Sequence, residues 1–276
     1  MTYRLIALDI DGTVTDSRNA VRPAVRAAIA ACLDRGCRVL LTTGRILGTT
    51  RPVMRAIDPR LGAITNNGAV CHDTIDGPVL WRHLLPAVVG REIAEELAAL
   101  GLAPIAFDAE ATTIAVPDMA DVSPRFVDRF AVNLEAVGDV AAWIAADPLM
   151  LTCLAGASAE AEALIREQTR VLGQRFAGRA TVSPLWHPLY QSWILDFIAP
   201  GVSKWRGLCD YAALREIEPS AILTIGDGLN DVEMVAKAGL GVAMGQAGPE
   251  LRAAADVIVS DNDHDGVAEA LERFVL

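Results

Sequence analysis

Residues Arg4–Thr15 read RLIALDIDGTVT, and this stretch constrains the fold more than any other. Leu5-Ile6-Ala7-Leu8 is a short, continuous apolar run, the pattern of a strand buried on both faces of a parallel sheet. It ends abruptly in Asp9-Ile10-Asp11-Gly12-Thr13. Side chains at i and i+2 of an extended chain point the same way, so Asp9 and Asp11 are expected to aim their carboxylates at one spot just past the strand. Gly12 then turns the chain. The carboxyl ends of parallel strands are where open α/β sheets bind ligands. The plainer alternative is an acidic turn without chemistry, since Asp-Gly is a common turn pair. Two carboxylates this close repel, and a cation or a shared proton is needed to hold them.

The same pattern recurs along the chain. Cys37–Leu41 runs into Thr42-Thr43-Gly44-Arg45, Ala63–Thr65 into Asn66-Asn67-Gly68, and Ala221–Ile225 into Gly226-Asp227-Gly228-Leu229-Asn230-Asp231. Helical spacing links the first runs: Val21, Val25, Ile29 and Leu33 lie four apart with Gly36 as a stop, and a helix ending near Ile57 has its start or a kink at Pro52. Val70–Leu85 reads as a hairpin around Asp76-Gly77. The order βαβαβ predicts a doubly wound sheet. From Pro86 the texture changes. Helices at Arg91–Leu100, Val140–Ala146 and Ala159–Leu172 mix with strands at Pro104–Phe107, Thr112–Val116, Leu149–Leu154 and Ala180–Pro184, and Phe126–Val137 is mixed. Tyr190–Ile198 alternates and is assigned back to the core. The α/β rhythm then resumes, with helices at Lys204–Leu214, Val232–Ala238, Glu250–Ala254 and Gly266–Phe274 and strands at Gly239–Met244 and Val257–Val259. The expected fold is α/β: a doubly wound, Rossmann-like parallel-sheet core over 1–85 and 190–276, with an inserted α+β domain over 86–189.

Composition narrows the function. The chain has 276 residues, 52% of them hydrophobic, enough for a substantial core. A formal charge of −11 disfavours nucleic acid or an anionic membrane surface as the partner. An acidic protein that handles an anionic substrate needs metal ions and a few placed Lys or Arg. No apolar run reaches membrane-spanning length, and MTYR leads straight into the first strand without signal-peptide architecture. Five cysteines without a C-x-x-C pair read as reduced thiols, so a cytoplasmic location is expected.

Three polar clusters thus end three apolar strands: Asp9/Asp11, Thr42/Thr43 and Asp227/Asn230/Asp231, with Lys204 at the start of a core helix. Such strand ends can converge on one crevice. Carboxylates from two strands supply the hard oxygen ligands of Mg²⁺, while a hydroxyl and an ammonium complete a phosphate cradle. This suits phosphoryl transfer, which depends on positioning and charge neutralisation. DIDGT, the strand ending TTGR, GVSK and GDGLNDVEM, in this order, resemble the four motifs of the haloacid dehalogenase superfamily of phosphatases. The NNGA turn and the place of the insert resemble the Cof-type branch with a C2B cap.

That resemblance implies roles. Asp9 would be the nucleophile, forming an aspartyl-phosphate, and Asp11 the acid and then the base. Thr43 would bind the phosphoryl group, and Lys204 would neutralise Asp9 and the phosphate. Mg²⁺ would be held by Asp9, the backbone carbonyl of Asp11 and Asp227, with Asp231 supporting. Gly44, Arg45, Asn67 and Asn230 would line the phosphate or the cap-facing side. Trp205 departs from the glycine usual after the lysine. The implied activity is a Mg²⁺-dependent phosphatase of a small phosphorylated metabolite, monomeric or homodimeric, whose mobile cap closes over substrate. A sugar phosphomutase and a non-catalytic phosphometabolite sensor are the alternatives, and the presence of both Asp9 and Asp11 argues against the sensor.

Other signals are set aside. Asp261–Gly266 with Glu272 matches an EF-hand spacing, but a strand precedes it and Glu272 falls inside a helix. The four histidines lack zinc-ligand spacing, and Gly239-Leu240-Gly241 starts a strand rather than a dinucleotide loop. Trp186, His187, Tyr190 and Trp193 read as hinge or core packing, with substrate contact as the alternative. Asp108, Glu110 and Arg125 are candidates to face the site from the insert.

Overall fold

The computed structural model describes residues 3–130, 133–187 and 190–276. Five strands come first: β1 (Leu5–Leu8), β2 (Arg38–Thr42), β3 (Gly62–Thr65), β4 (Val70–His72) and β5 (Val79–Arg82). Then come β6 (Ile105–Phe107), β7 (Ile114–Val116), β8 (Leu134–Ala136), β9 (Met150–Gly156), β10 (Thr181–His187) and β11 (Ser192–Ile198). The last are β12 (Ile222–Gly226), β13 (Leu240–Ala243) and β14 (Val257–Ile258). The chain falls into two units, Met1–Trp81 with Ser203–Leu276, and Arg82–Val202.

The first unit carries an eight-stranded sheet in the order β14-β13-β12-β1-β2-β3-β4-β5. β1 is central and parallel to both neighbours, with Leu5 opposite Ile222 on one side and Arg38 on the other. Its four residues are fully buried because helices cover both faces. Ile6 and Leu8 pack with Ile29 and Leu271 from the helices Pro23–Asp34 and Gly266–Phe274, while Leu5 and Ala7 pack with Leu208 and Tyr211 from the helix Lys204–Leu214. Trp205 is half-buried against this second face, so the departure noted at that position is absorbed by packing. Sequence order runs one way from β1 through β2 and the other way through β12, which makes the β1/β12 carboxyl ends the switch point of the sheet. The helix Leu47–Ile57 passes through Pro52 instead of starting there. The donor lost at Pro52 would have served the Gly48 carbonyl, one turn back near the helix start.

The second unit is a six-stranded sheet, β10-β11-β9-β6-β7-β8, antiparallel except where β7 meets β8. The helices Ala87–Ala99 and Ala159–Arg175 bury Ile93, Leu97, Ile165 and Leu172 with Leu151, Cys153, Leu195 and Phe197. One assignment from sequence changes here. Ser192–Ile198 does not return to the first sheet: it pairs with β10, Trp193 opposite Trp186, and with β9, Leu195 opposite Cys153. Alternation marks a half-buried strand without naming its sheet, and the short link to β10 favours hairpin pairing. The division therefore falls at residues 82 and 202, whereas the sequence pattern suggested 86 and 189. Position 189 lies outside the described residues, as does the middle of the mixed Phe126–Val137 stretch, which otherwise forms a helix, Pro124–Phe130, and β8. The helix expected over Val140–Ala146 is the single turn Val140–Trp143.

Candidate active site

Asp9 is the first residue past β1, and its backbone N–H still donates to the Ile225 carbonyl at 3.0 Å, which ties it to the end of β12. Directly after β12 ends at Gly226, the chain runs through Asp227 and Gly228 into a short 3₁₀ turn, Leu229–Asp231. Gly226 is required there, since a Cβ would lie 2.6 Å from the Asp231 side chain. Asp231 is fully buried; its Oδ2 accepts the N–H groups of Asp227 at 3.2 Å and Gly228 at 3.0 Å. Its Oδ1 accepts from Lys204 Nζ at 2.6 Å, and the same ammonium donates to Asp9 Oδ1 at 2.6 Å. Lys204 is the first residue of its helix, held there by the Ser203 hydroxyl, which accepts the Arg206 N–H at 3.1 Å.

One ammonium therefore serves a pocket of carboxylates. One oxygen each from Asp9, Asp227 and Asp231 lie within 4.8 Å of one another. Burial alone disfavours a charged lysine, but Asp231 and Asp9 outweigh it and hold Lys204 above its usual pKa. The excess negative charge falls on the acids. Burial pushes Asp9 well above the ordinary carboxylate range against the pull of Lys204, and Asp231, Asp227 and Asp11 add to the rise. Burial, then Asp231, pushes Asp227 up to about 7. Thr13 partly offsets this by donating its hydroxyl to Asp227 Oδ1 at 2.9 Å. An all-oxygen donor set with uncompensated negative charge fits a hard divalent cation such as Mg²⁺. Gly12, at φ +83°, backs directly onto it: a Cβ there would lie 2.2 Å from Asp227 Oδ2.

Asp11 is near enough to raise both Asp9 and Asp227; its carboxylate is not one of the three within 4.8 Å of one another and is gripped by Arg45. Arg45 Nε donates to Asp11 Oδ2 at 2.7 Å, and Nη2 donates to Asp11 Oδ1 and, at 2.9 Å, to Asn19 Oδ1. The strand ends at Leu8, so period-two alternation no longer governs residue 11. Thr43 is buried past β2, its hydroxyl accepting the Arg45 N–H at 3.1 Å, while Thr42 points away to Met234 Sδ at 3.6 Å. Asn67 stands on the β3 end in the left-handed region, at φ 52°. Its N–H donates to the Thr43 carbonyl at 3.0 Å and its Oδ1 accepts from Asn230 Nδ2 at 2.8 Å. Gly44 faces Asn67, where a Cβ would lie 3.3 Å from Oδ1.

The structure thus gathers Asp9, Lys204, Asp227 and Asp231 in one cluster, Asp11 with Arg45, and Thr43, Gly44, Asn67 and Asn230 along three strand ends. Sequence reading missed Thr13 and Asn19. Thr13 was visible as the hydroxyl following Asp-Gly; Asn19 carries no such signal, since it meets Arg45 only through the fold. In the second unit, Asp108 closes a local turn by accepting the Thr112 N–H and hydroxyl at 2.7 Å each, and Glu110 pairs with Arg82. His187 stacks on Tyr190, ring centres 4.0 Å apart, and Trp186 meets Trp193 edge to face at 5.8 Å. No helix among the described residues is long and apolar enough to cross a membrane.

Comparison with known proteins agrees with this geometry. A family profile for haloacid dehalogenase-like hydrolases matches residues 6–271. Phosphoglycolate phosphatase of Methanothermobacter thermautotrophicus is 27% identical, covering 99% of both chains. Pyridoxal phosphate phosphatase YbhA of Escherichia coli is 24% identical over the whole of both. A match to the chloroplastic endoribonuclease YBEY of Arabidopsis thaliana, 25% identical, spans only 46% of that protein. Among solved structures, a haloacid dehalogenase-like hydrolase from Bacteroides thetaiotaomicron is 25% identical, with a TM-score of 0.79 over 98% of this chain and 99% of that one. A subclass IIB sugar phosphatase, 24% identical, superposes with a TM-score of 0.78 over 98% of each chain. The chain belongs to the haloacid dehalogenase-like hydrolases and is a phosphoric monoester hydrolase.

Proposed function

We propose that the chain is a Mg²⁺-dependent phosphatase that hydrolyses a small phosphorylated metabolite through an aspartyl-phosphate on Asp9. The observation that carries this reading is the buried Asp9 carboxylate, with one oxygen on Lys204 and the Asp227 and Asp231 carboxylates within 4.8 Å. Lys204 fixes Oδ1 and leaves Oδ2 as the attacking atom. In the first half-reaction an Asp9 O–P bond forms as the ester P–O bond breaks, and Asp11 protonates the departing alkoxide. In the second, water attacks phosphorus, Asp11 takes its proton, and phosphate leaves with Asp9 restored. Asp9, the Asp11 carbonyl and Asp227, supported by Asp231, would hold Mg²⁺, which when bound offsets the repulsion between a carboxylate and a phosphate dianion.

Arg45 sets the condition for this cycle. A guanidinium fork satisfies a carboxylate on both oxygens, so the arrangement seen holds Asp11 as the base of the second half. Donation in the first half requires Asp11 to leave that fork, and the incoming phosphate is the anion able to take Arg45 over. Thr43, Gly44, Asn67 and Asn230 serve as the polar lining for phosphate. The inserted unit selects the ester: relatives matching along nearly their whole length bear names as different as phosphoglycolate and pyridoxal phosphate phosphatase. The test is phosphate release from a panel of phosphorylated metabolites with and without Mg²⁺. Release that is unchanged in the Asp9→Asn variant would remove the nucleophile. A labelled sugar phosphate returned as its isomer rather than as free sugar would replace hydrolysis by mutase chemistry.

A further inference from the structure

The Asp261–Gly266 segment has the spacing of a calcium loop, yet Asp261 bonds within the segment and Asn262, Asp263 and Asp265 bond another part of the chain. Two loops close on each other beside it, with the Gly245 N–H donating to the Ser260 carbonyl at 3.2 Å. The approach needs glycine at both contacts: a Cβ at 245 would lie 2.9 Å from the Val259 carbonyl, and one at 266 would lie 2.0 Å from that of Ser260. This places Gln246 beside Asn262, whose N–H donates to Gln246 Oε1 at 3.3 Å. Both side chains then reach the loop that leaves β1. Gln246 Nε2 donates to the Gly12 carbonyl at 2.5 Å, and Asn262 Nδ2 donates to the Thr15 carbonyl at 2.9 Å. Farther along, Asp263 accepts the Ser17 N–H at 2.9 Å and Asp265 accepts Arg22 at 2.6 and 3.0 Å.

The braced turn is the one that carries Asp9 and Asp11. Its own backbone hydrogen bonds are long at two of three positions, Thr13 to Ile10 and Val14 to Asp9 at 3.3 Å against Thr15 to Ile10 at 3.0 Å, and the Thr15 hydroxyl adds one to the Ile10 carbonyl at 2.9 Å. Gly12 also backs onto Asp227, so a shift there moves Asp11 on one side and disturbs Asp227 on the other. We infer that Gln246 and Asn262 are positioning residues: by fixing the Gly12 and Thr15 carbonyls they hold the phosphoryl-transfer turn in register with the carboxylate cluster. Neither touches the reacting atoms. The kinetic arm of this inference rests on the phosphatase reading above; the structural arm does not.

The test uses the full chain with Mg²⁺ and the neutral variants Gln246→Met and Asn262→Ala, singly and together. The double variant should lose about tenfold in kcat, because sub-ångström misplacement of reacting groups is costly, with KM and thermal midpoint close to wild type. Hydrogen–deuterium exchange should show the Thr13, Val14 and Thr15 amides losing protection while those of β12 keep theirs. Wild-type kcat in the double variant, or a loss that only follows a lowered midpoint, would overturn the inference. If the wild-type chain releases phosphate from no ester, the phosphatase reading fails on its own. The exchange arm still decides the brace in that case, and unchanged protection at residues 13–15 would overturn it.

Discussion

Both units carry exposed ion pairs, but only the first also gathers charge in its interior among the described residues. In the first, Asp9, Lys204, Asp231 and Arg45 are all buried and bonded into one end of one sheet. In the second, ion pairs such as Arg166–Glu162, Arg170–Glu167 and Arg179–Glu92 lie out in solvent along helices and strand edges. Among the described residues its buried carboxylate is Asp196, cross-strand from Thr152 and Ser183. Taking an ion out of water costs several kcal/mol, and neighbouring charges of the same sign raise that cost. A fold that keeps three carboxylates and one ammonium together in its interior is poised to accept a cation or an anion bearing one. Surface pairs carry no such implication, since water already solvates them.

Two substitutions on the buried side bracket the largest effects. Asp9→Asn preserves shape and removes the attacking oxygen's charge, so phosphate release should fall by about 10⁴-fold or more while the unfolding curve stays close to wild type. Turnover near the wild-type rate would separate the buried charge from the chemistry. Lys204→Met removes the ammonium that two buried carboxylates share. Denaturant unfolding at neutral pH without metal should show a loss of about 3–5 kcal/mol, the cost of leaving buried charge unpaired. A loss under about 1 kcal/mol, the range of exposed pairs, would erase the contrast between the units.

The sequence made the buried cluster visible and hid most of what surrounds it. Asp9, Asp227 and Asp231 each follow an apolar run at a strand's end, and Lys204 opens a helix after a serine cap; all of these are local signals. The switch point that joins them follows from strand order, which the βαβαβ rhythm predicted. The partners of Asp11 were not local. Arg45 lies 34 residues away and Asn19 bonds Arg45 across 26, so only the packed turn brings them together. The second unit was harder because the pattern along one strand says nothing about its neighbours: Ser192–Ile198 alternates in sequence yet is buried at six of its seven positions. Ser192–Ile198 alternates equally well in either sheet, and the hairpin with β10 decided between them.

Proton uptake offers a smaller and reversible test of the same cluster. Asp227 is pushed up to about 7 in the metal-free protein, first by burial and then by Asp231. A carboxyl whose folded pKa is raised binds its proton more tightly folded than unfolded. Its contribution to stability is complete below the ordinary carboxylate range and is lost as pH climbs from about 4 toward about 7. Mg²⁺ opposes that loss by replacing the proton, so saturating Mg²⁺ should raise the thermal midpoint by a few °C more at pH 8 than at pH 5. Equal shifts at both pH values would mean that the ion does not bind at these carboxylates. The Asp227→Asn variant should flatten the difference, since an amide has no proton to lose.

The smallest effect expected is the one that sharpens the comparison from the other side. Arg179 and Glu92 form a two-point contact at 2.7 and 2.9 Å in the second unit, geometry as good as that of the buried Lys204 pairs. Desolvation at Arg179 and Glu92 is outweighed by their hydrogen bonding, because the side chains remain 43% and 40% exposed. Hydrogen bonding to Arg179 holds Glu92 below its usual pKa, but solvent screens that attraction in the folded state and satisfies both ions in the unfolded one. Arg179→Ala should therefore leave the denaturation midpoint and kcat within experimental error of wild type. Hydrogen bonds within 0.3 Å of one another in length would then have given opposite outcomes at positions 179 and 204, with burial as the variable that separates them. A loss at 179 as large as that at 204 would instead place the stability of this fold in contact geometry, and the buried cluster would lose its claim to be singled out for chemistry.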